Sequence, residues 1–561
     1  MKKTVFTFCL FICLIANGQY YVTTSGNSSN DGLSEANAWS LSHAFATAVA
    51  GDIVHIKAGD YGSGNYTIST SGTTSNPITF KGYDTTINDV DTVDGTPRAY
   101  TYLDDVDSTT YPTLIGTFTS NKGVGTAIDI TGTDIVFENF DIKYYESPFK
   151  SSGDRNRIKN VFTYHSGNFN ATDVAERPFV NASNGGYQGK GMSFSGDDIE
   201  VINCIATDHG AEAIKFSDSD NAYGNGNRVY GGVVANTMDY HYLLAGDALN
   251  GTHENIYVER VGTVGNEPDH FGHGIVLKCG TGYTVTGNVI KNSTVINTFL
   301  ELQFPFVSNN TCENITLIRE ADFDGFNISG GIMLKNGSHD NNFKNIYIYN
   351  SSVWFLDQTD GLAGDVADSS DDNTFENLVI ENYKAFSAPI VFGHINDTEP
   401  TLSTDNNEFY NCTFSGGAAL FKNNSENTGT LLKNCVIDGI SALTVSVSGQ
   451  TTYPINITYE DSNFSNGFTA PSGTNITTYS PLFTGTGVDA EEFELQSGSL
   501  LKDAGATITG LTTDFNGDSY LNSPPIGAFE YGGTVAPPIV ETELILKQKA
   551  RRRANNIITT F

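Results

Sequence analysis

Short runs of apolar residues return along the chain at a nearly fixed interval, and each run ends in a polar or small residue. Residues 275–278 (Ile-Val-Leu-Lys) are one copy of this pattern. From Lys215 to Lys422 the mean step is about 30 residues, a period typical of solenoids and other repeat architectures. The copies are residues 212–215, 242–245, 275–278, 300–303, 332–335, 354–357, 390–393 and 419–422.

A second series of apolar runs keeps step with the first, and most of its members begin with asparagine. β-branched and aromatic residues separated by Gly, Asn, Asp and Ser favour strands, and no long window has the spacing of an amphipathic helix. Asparagine suits the corners between strands because it tolerates left-handed backbone. The pattern predicts a parallel β-solenoid with coils about 4.8 Å apart. The members are residues 202–204, 255–258, 288–290, 314–317, 345–348, 377–380, 411–414 and 434–437.

The two ends of the chain differ from the repeat. Residues 20–61 form an opening unit, in which a helix over about residues 41–50 is expected to cap the first coil. After residue 447 the period loosens, and the fold is expected to end with residues 514–517 (Asp-Phe-Asn-Gly) and 525–530 (Pro-Ile-Gly-Ala-Phe-Glu).

Both ends resemble those of secreted proteins of the pectate-lyase-like superfamily. The resemblance implies an all-β fold, a single-stranded right-handed parallel β-helix with an N-terminal cap and irregular C-terminal coils. Many proteins of this superfamily act on polysaccharides, among them lyases of the alginate lyase and chondroitinase B type. Action on a polysaccharide is therefore the function that the resemblance implies.

Three segments are predicted. Residues 1–19 have the charged start and short apolar run of a secretory signal, residues 20–531 form the β-helix, and residues 532–561 are a linker and a basic tail. The apolar run is too short to span a bilayer comfortably, and no later stretch approaches the necessary length. We therefore expect a secreted monomer without a transmembrane segment.

Charge and cysteine content narrow the functional classes. The formal charge of −34 argues against a nucleic-acid partner, whose affinity depends on basic surface. It is compatible with calcium held by carboxylates as a cofactor. Without the signal, five of the seven cysteines remain. Because an odd number cannot all pair, the favoured interpretation is that free thiols act as small apolar core residues.

A polar stripe is predicted along one outer side of the solenoid. Alternation along the strands places Lys215, Lys278, Gln303, Lys335 and Asp357 at one outward position, with Glu301 on the same face two residues before Gln303. Lysines two coils apart would lie about 10 Å from each other, a spacing that could meet successive acidic groups of a glycan. The alternative is that outward strand positions are simply polar, but three lysines at one position in a chain so poor in basic residues favour binding.

Histidines and acidic residues cluster beside this stripe. Five of the ten histidines lie between residues 209 and 273, and long inserts at 143–157, 167–190 and 262–272 interrupt the repeat. Loops that leave a regular scaffold often carry binding residues, so residues 208–335 are the predicted site. The catalytic candidates are Lys278, His273, Lys215, Glu301, Glu212 and Arg228; the substrate-binding candidates are Lys335, Gln303, His270, His241 and Arg260; and the candidate metal ligands are Asp208, Asp247 and Asp269.

Two reactions fit such a site. Lyase chemistry needs a base for the C5 proton of a uronate, a cation that neutralises its carboxylate, and an acid for the leaving oxygen. Hydrolysis needs two carboxyl groups beside the scissile bond. His273 between two glycines, together with Asp197 and Asp198 or with Asp247, weakly resembles polygalacturonases, although the Arg-x-Lys of that family is absent downstream.

The sequence is interpreted as that of an enzyme that cleaves an acidic polysaccharide by β-elimination. A glycoside hydrolase of the polygalacturonase type is the first alternative. The second is a non-catalytic glycan-binding or surface adhesion protein, because a fold does not fix a function.

Overall fold

The computed structural model of the protein describes most of the chain. The described residues are 18–102, 104–119, 122–166, 191–209, 212–231, 240–261, 273–320, 331–356, 370–381, 388–393, 404–423, 427–445, 456–485, 490–520 and 522–531. The predicted signal segment 1–19, apart from residues 18 and 19, and the predicted tail 532–561 lie outside these ranges.

Two parallel sheets account for nearly all of the described secondary structure. We call the one with 24 described strands the large sheet and the one with 15 described strands the site sheet. The strands of the large sheet are Gln19–Val22, Ile53–Lys57, Gly59–Asp60, Ile78–Tyr83, Pro112–Ile115, Ile135–Lys143, Arg157–Ser166, Glu200–Ile202, Ile205–His209, Tyr223–Asn225, Arg228–Gly231, Thr252–Glu254, Tyr257–Arg260, Val289–Ile296, Thr311–Ile318, Asn342–Tyr349, Thr374–Glu376, Val379–Glu381, Glu408–Tyr410, Thr413–Ser415, Thr430–Lys433, Val436–Asp438, Ile457–Glu460 and Asn463–Ser465.

The strands of the site sheet are Tyr66–Ile68, Thr126–Ile130, Ser147–Ser151, Met192–Phe194, Glu212–Asp220, Tyr240–Leu249, His273–Lys278, Val285–Thr286, Leu300–Gln303, Val307–Ser308, Ile332–Lys335, Val353–Leu356, Ile390–Phe392, Phe421–Asn423 and Thr444–Val445. Smaller pairs are formed by Phe118–Thr119 with Lys122–Gly123 and by Thr404–Asp405 with Asn427–Thr428. The helices are the α-helix Leu41–Thr47 and the 3-10 helices Glu35–Asn37 and Ala490–Phe493.

Each coil of the solenoid stacks directly on the one before it. In the site sheet, Ile275 is in register with Tyr242 of the preceding coil and with Leu300 of the following one, and all three side chains are fully buried. Such rows of apolar side chains fill the interior between the two sheets, because alternate residues of a strand point to opposite faces. The predicted all-β parallel β-helix is confirmed.

Asparagine holds many of the corners within the large sheet. Asn314, Asn345 and Asn377, which precede apolar runs of the second series, each have φ near 53°. Asparagine tolerates this left-handed backbone better than most residues. The expectation that asparagine marks the corners is confirmed at these positions.

The N-terminal cap is present. The helix Leu41–Thr47 is shorter than the predicted 41–50, and it buries Phe45 against Phe80 and Tyr66 of the first coils. Ser40 caps its first turn by accepting a hydrogen bond from the backbone of His43. Parallel stacking already begins at Gln19–Val22, which pairs with Ile53–Lys57.

Two segments outside the coils cover the outer face of the large sheet. Residues 84–111, which we call the strap, contact the coils of Asp141, Asn203 and Thr207. The irregular C-terminal residues 480–531 contact later coils, for example through Gly527 and Ala528. Tyrosine, phenylalanine and isoleucine side chains of the sheet are buried beneath both segments.

All five cysteines of the described chain, Cys204, Cys279, Cys312, Cys412 and Cys435, are free and buried. The interpretation of these thiols as apolar core residues is confirmed. Within the described ranges, no helix combines the length and the apolar character needed to cross a bilayer.

Candidate functional site

Two rows of outward side chains cross the site sheet. The first row contains Lys278, Gln303 and Lys335 on successive coils, as predicted from the sequence. Leu356 takes the next position, not Asp357, which lies outside the described residues. The prediction that Lys215 joins this row is wrong.

Lys215 belongs to the second row, two residues nearer the start of the strands. The reason is that its own strand buries Ile214 and Phe216, with the lysine between them, whereas the strand His273–Lys278 buries Ile275 and Leu277 and its lysine follows. A shift of two residues keeps the side chain on the same face. We call the stretch of this row from Lys215 to Lys422 the second row; it consists of Lys215, Leu243, Val276, Glu301, Met333, Trp354, Val391 and Lys422.

Glu301 is the acidic member of this second row, and its side chain is fully buried. Its two carboxylate oxygens accept hydrogen bonds from His273 Nδ1 and from Gln303 Nε2. The positive charge of the Lys335 ammonium group favours the ionised form of the same carboxylate. We call His273, Glu301, Gln303 and Lys335 the Glu301 network. It brings together four residues that the sequence named as site candidates.

The charges in the Glu301 network keep its carboxylate ionised. Burial raises the pKa of the Glu301 carboxyl, but the positive charges of His273 and Lys335 and the hydrogen bonds from His273 and Gln303 outweigh it. The pKa therefore lies below its ordinary value. The ring of His273 carries this positive charge only when it is protonated. Once Nε2 has lost its proton, Nδ1 still donates to Glu301 and the lone pair lies on Nε2, the form required of a general base.

Lys278 lies beside an aromatic ring at the end of the next strand. Its Nζ is 5.5 Å from the centroid of Phe304, within the range of a cation–π interaction. Phe304 has φ of 81°, a left-handed conformation that is strained for a bulky residue. Phe304 was not among the site residues predicted from the sequence. The one signal for it was its place directly after Gln303 and before a proline, which restricts the backbone of the preceding residue.

His241 supports the start of the strand His273–Lys278, and the charge of Arg260, in the large sheet, acts on His241. His241 Nδ1 donates to the backbone carbonyl of His273 over 2.8 Å. Burial lowers the pKa of His241 to about 3, with a smaller contribution from the charge of Arg260. His241 is therefore a neutral ring beneath the site, and its place suggests that it positions His273 rather than contacting a ligand.

Glu212 and Lys215 form a separate ion pair on the same edge of the site sheet. Lys215 Nζ lies 3.1 Å from Glu212 Oε1. Their strand is three coils before that of Glu301, or about 14 Å along the stack. These two candidates therefore lie near the Glu301 network but outside its direct contacts.

Arg228 is on a different surface. Its strand, Arg228–Gly231, belongs to the large sheet, where its guanidinium lies 5.5 Å from the ring centroid of Tyr257. Since Val229 is the buried neighbour, Arg228 points away from the interior on the outer face of the large sheet. The structure does not bring it to Lys278 or His273.

Two of the three proposed metal ligands, Asp208 and Asp247, do not converge either. Asp208 accepts a hydrogen bond of 2.8 Å from the Tyr102 hydroxyl of the strap. Asp247 accepts one of 2.8 Å from the backbone of Thr284, at a position about 23 Å along the strand from Tyr240, the register partner of His273. Within the described ranges, no three His, Cys, Asp or Glu side chains are grouped to hold a metal ion.

Asp269 and His270 lie outside the described residues, so calcium binding and the role of His270 stay predictions. The polygalacturonase-like grouping of His273 with Asp197 and Asp198 is not formed. Asp197 accepts a hydrogen bond from the backbone of Asp220, at the far end of the strand Glu212–Asp220 from the site. Asp247 is excluded from this grouping by its distance along the strand.

The sequence matches no protein-family model and no curated protein. Its structure is similar to several solved structures of low sequence identity. A pectate lyase, Pel9A, is 13% identical with a TM-score of 0.31, and the match covers 92% of this chain and 96% of that one. The alginate lyase AlyGC of family PL6 is 12% identical with a TM-score of 0.44, covering 84% of this chain and 58% of that one.

A polysaccharide lyase of family PL6 from Pseudopedobacter saltans is 15% identical with a TM-score of 0.38, covering 71% of this chain and 85% of that one. The strand pairing of this chain establishes the parallel β-helix architecture. This architecture is the one implied by the resemblance of the two ends of the chain. What the protein does must be inferred from its own residues.

Proposed function

We propose that this protein is a carbohydrate-active enzyme that cleaves an acidic polysaccharide by β-elimination at the Glu301 network. The observation that carries the proposal is a buried carboxylate in an otherwise apolar part of the second row. Val276 and Met333 hold the same position on the two neighbouring coils, so stacking of the coils does not require a charge there. A buried charge lowers stability unless it is compensated, which supports a functional reason for Glu301.

The chemistry of the network suits removal of a proton next to a carboxylate. Hydrogen bonding to Glu301 orients His273 and leaves Nε2 as the atom that accepts the C5 proton of a uronate. Lys335 supplies positive charge where the substrate carboxylate gains negative charge as that proton leaves. Glu301 acts as a positioning residue, since it touches His273 rather than the substrate.

The proposed step balances without a further reactant. The electron pair of the C5–H bond forms the C4–C5 double bond, and the bond between C4 and the glycosidic oxygen breaks. The departing oxygen takes a proton from the ammonium group of Lys278, whose position is in register with Gln303. Solvent then returns the proton to Lys278 and removes the one held by His273.

The charge state of Glu301 favours this reaction over hydrolysis at the same site. A glycosidase needs one carboxylic acid that stays protonated until it meets the leaving oxygen, and its pKa is therefore raised. Both carboxylate oxygens of Glu301 accept hydrogen bonds, from His273 and from Gln303, and the positive charge of Lys335 also favours the ionised form. An anionic Glu301 can orient a histidine but cannot supply that proton.

Export of the protein fits such a substrate, because large acidic polysaccharides lie outside the cell. The sequence of residues 1–19 has the features of a secretory signal. We infer that the mature protein is secreted or held at the cell surface. N-terminal sequencing of the protein recovered from culture medium would test this, and a chain still beginning at Met1 would contradict it.

The proposed reaction is tested by incubating the purified protein with alginate, pectate, chondroitin and neutral glycans. β-Elimination leaves unsaturated ends that absorb in the ultraviolet, whereas hydrolysis releases reducing ends without this absorbance. His273→Ala is expected to lower kcat by about 100-fold or more, the usual contribution of a general base. Lys422→Ala is the matched control, since Lys422 lies in the second row four coils beyond Glu301.

The outcomes separate the three functions. Reducing ends without ultraviolet absorbance would replace the lyase with a hydrolase. Retention of a glycan on an affinity column without cleavage would indicate a binding protein. Unchanged turnover in His273→Ala, with normal turnover in Lys422→Ala, would move the active site away from the Glu301 network.

A further inference from the structure

An unusual pair of residues occupies the corner between the large sheet and the site sheet. The register of the large sheet places Tyr144, His165, Asp208 and Asn297 in one row at this corner. All four have positive φ, between 49° and 67°. Aspartate, asparagine and histidine are comparatively common in this backbone conformation, whereas the bulky side chain of tyrosine is strained in it. Tyr144 therefore occupies a position that the backbone alone would give to asparagine, and His165 is its neighbour in the row.

The two rings form a cluster with a third ring from a nearby hairpin. Phe118, in the hairpin of Phe118–Thr119 with Lys122–Gly123, lies 5.3 Å from Tyr144 and 5.0 Å from His165, measured between ring centroids. Tyr144 and His165 are 5.9 Å apart. We call Phe118, Tyr144 and His165 the aromatic cluster. All three side chains are half-buried, so part of each ring remains exposed.

The aromatic cluster lies on the same edge of the site sheet as the Glu301 network. Tyr144 precedes the strand Ser147–Ser151, which is four coils before His273–Lys278. His165 precedes the strand Met192–Phe194, which is three coils before His273–Lys278. Stacked coils then place the aromatic cluster about 14 to 19 Å from His273 along the solenoid. Lys215 lies between the two sites in coil order. A polymer running along this edge passes the aromatic cluster, Lys215 and the Glu301 network in turn.

We propose that the aromatic cluster is an outer subsite that stacks against a sugar ring of the same polysaccharide whose uronate lies at the Glu301 network. Sugar rings have apolar C–H faces, and aromatic rings combine an apolar body with an electron-rich face. Lys143 holds the ring of Tyr144 in place: its Nζ lies 4.9 Å from the ring centroid and 2.8 Å from the carboxylate of Asp105. The strained backbone at Tyr144 is retained for the contact with the sugar. The inference rests on the proposed function, because it takes the same polymer as ligand.

The test compares acidic oligosaccharides that are long enough to reach from the Glu301 network to the aromatic cluster with others that are too short. Dissociation constants are measured by calorimetry in a His273→Ala background, so that the oligosaccharides are not cleaved. Tyr144→Asn should weaken binding of the long oligosaccharide by about 3- to 10-fold, the range expected for one aromatic contact. Binding of the short oligosaccharide should change less than about twofold.

The thermal midpoint separates recognition from folding. Asparagine suits the backbone of residue 144, as at Asn297, so Tyr144→Asn should leave the midpoint unchanged or raise it. His165→Asn is the second variant and should behave in the same way. Tyr144→Phe keeps the ring and should keep the affinity. Tyr283→Ala, an exposed tyrosine after the far end of the strand His273–Lys278, is the control that should change neither quantity.

Three results would overturn the outer subsite. Unchanged affinity for the long oligosaccharide in both asparagine variants would remove it, while cleavage by the wild-type protein would still support the lyase. Equal weakening for both lengths, or a lowered thermal midpoint, would assign the rings a structural role. Failure of the wild-type protein to bind or cleave any acidic polysaccharide would remove both the outer subsite and the proposed function.

Discussion

Glu301 interrupts a row of apolar side chains that runs from Leu243 to Val391 on the outer face of the site sheet. Its carboxylate is held by His273 and Gln303, and the charge of Lys335 lies nearby. Burial removes water from each of these groups, which costs free energy. A buried charge compensated in this way stabilises a fold no better than well-packed apolar groups do. At the scale of single residues, the network is therefore explained better by chemistry than by folding.

Replacing Glu301 with methionine should separate stability from activity. Methionine occupies the same row at Met333 and would complete the apolar row, but it leaves the buried amide of Gln303 without its acceptor. We therefore expect the free energy of unfolding to fall by about 1 to 3 kcal/mol. Turnover should fall by roughly 100-fold or more because His273 loses the group that orients it. Denaturant unfolding and ultraviolet absorbance measure the two quantities. A strong loss of stability with normal turnover would show that Glu301 serves the fold.

At the scale of elements, Arg98 is one of the residues that attach the strap to the coils. Its guanidinium bonds to Asp141 over 2.7 Å and to the side chain and backbone of Asn160, and it lies 3.7 Å from the ring centroid of Tyr111. Asp141 is almost fully buried. Removing the arginine would leave this carboxylate without its cation, and breaking a buried pair costs much more than breaking an exposed one.

Arg98→Ala is therefore expected to lower the free energy of unfolding by about 3 to 5 kcal/mol and to expose residues 84–111 to protease. Lys57→Ala is the matched control. It removes an exposed pair with Glu35 in the first coils and should cost less than about 1 kcal/mol. Equal losses in the two variants, measured by denaturant unfolding, would contradict the role of Arg98 in holding the strap.

The elements also show what the sequence could establish. The recurrence of residues such as 275–278 was sufficient for the fold and for the row of Lys278, Gln303 and Lys335, because polar residues follow the same buried pair in each copy. The recurrence placed Lys215 in the wrong row, because that lysine lies between the buried residues of its strand and does not follow them. The contact of His273 with Glu301 was not predictable, since it joins residues whose register positions differ by three. Such offsets depend on side-chain conformation, which a repeat pattern does not contain.

At the scale of the whole molecule, the strap and the C-terminal residues 480–531 cover the same outer face of the large sheet. Neither contact was predictable from the repeat, because each joins segments far apart in sequence. Asn203 bonds to the backbone of Val93, and Ala528 bonds to Thr413. The solenoid grows by local stacking, but its outer surface is completed by long-range contacts that stabilise it against solvent.

The C-terminal segment contains two buried carboxyl groups that should make its attachment depend on pH. Burial raises the pKa of Asp514 to about 6. Burial, followed by the charges of Asp503 and Asp514, raises the pKa of Glu530 to about 7, against a smaller opposing effect of Lys502. Both pKa values lie above those of the same groups in the unfolded chain, which are about 4. Folding therefore binds protons between the unfolded and the folded pKa values, from about pH 4 to pH 7. The contribution of these groups to stability is therefore greatest at low pH and is lost as pH rises toward 7.

We expect the protease resistance of residues 480–531 to fall between about pH 4 and pH 7. Glu530→Gln should raise this resistance at the higher pH and flatten its pH dependence, because the amide cannot ionise beside Asp514. Glu491→Gln, an exposed change in the same segment, should leave the slope unaltered. Carboxyl groups with lowered pKa, such as Asp134 beside Arg155, act with the opposite sign below about pH 4. Buried neutral histidines such as His241 also act with the opposite sign, up to about pH 6.5, but they lie in the coils and not in residues 480–531. Resistance that increases through this interval in the wild-type protein would therefore show that Asp514 and Glu530 are ionised in the folded state without cost.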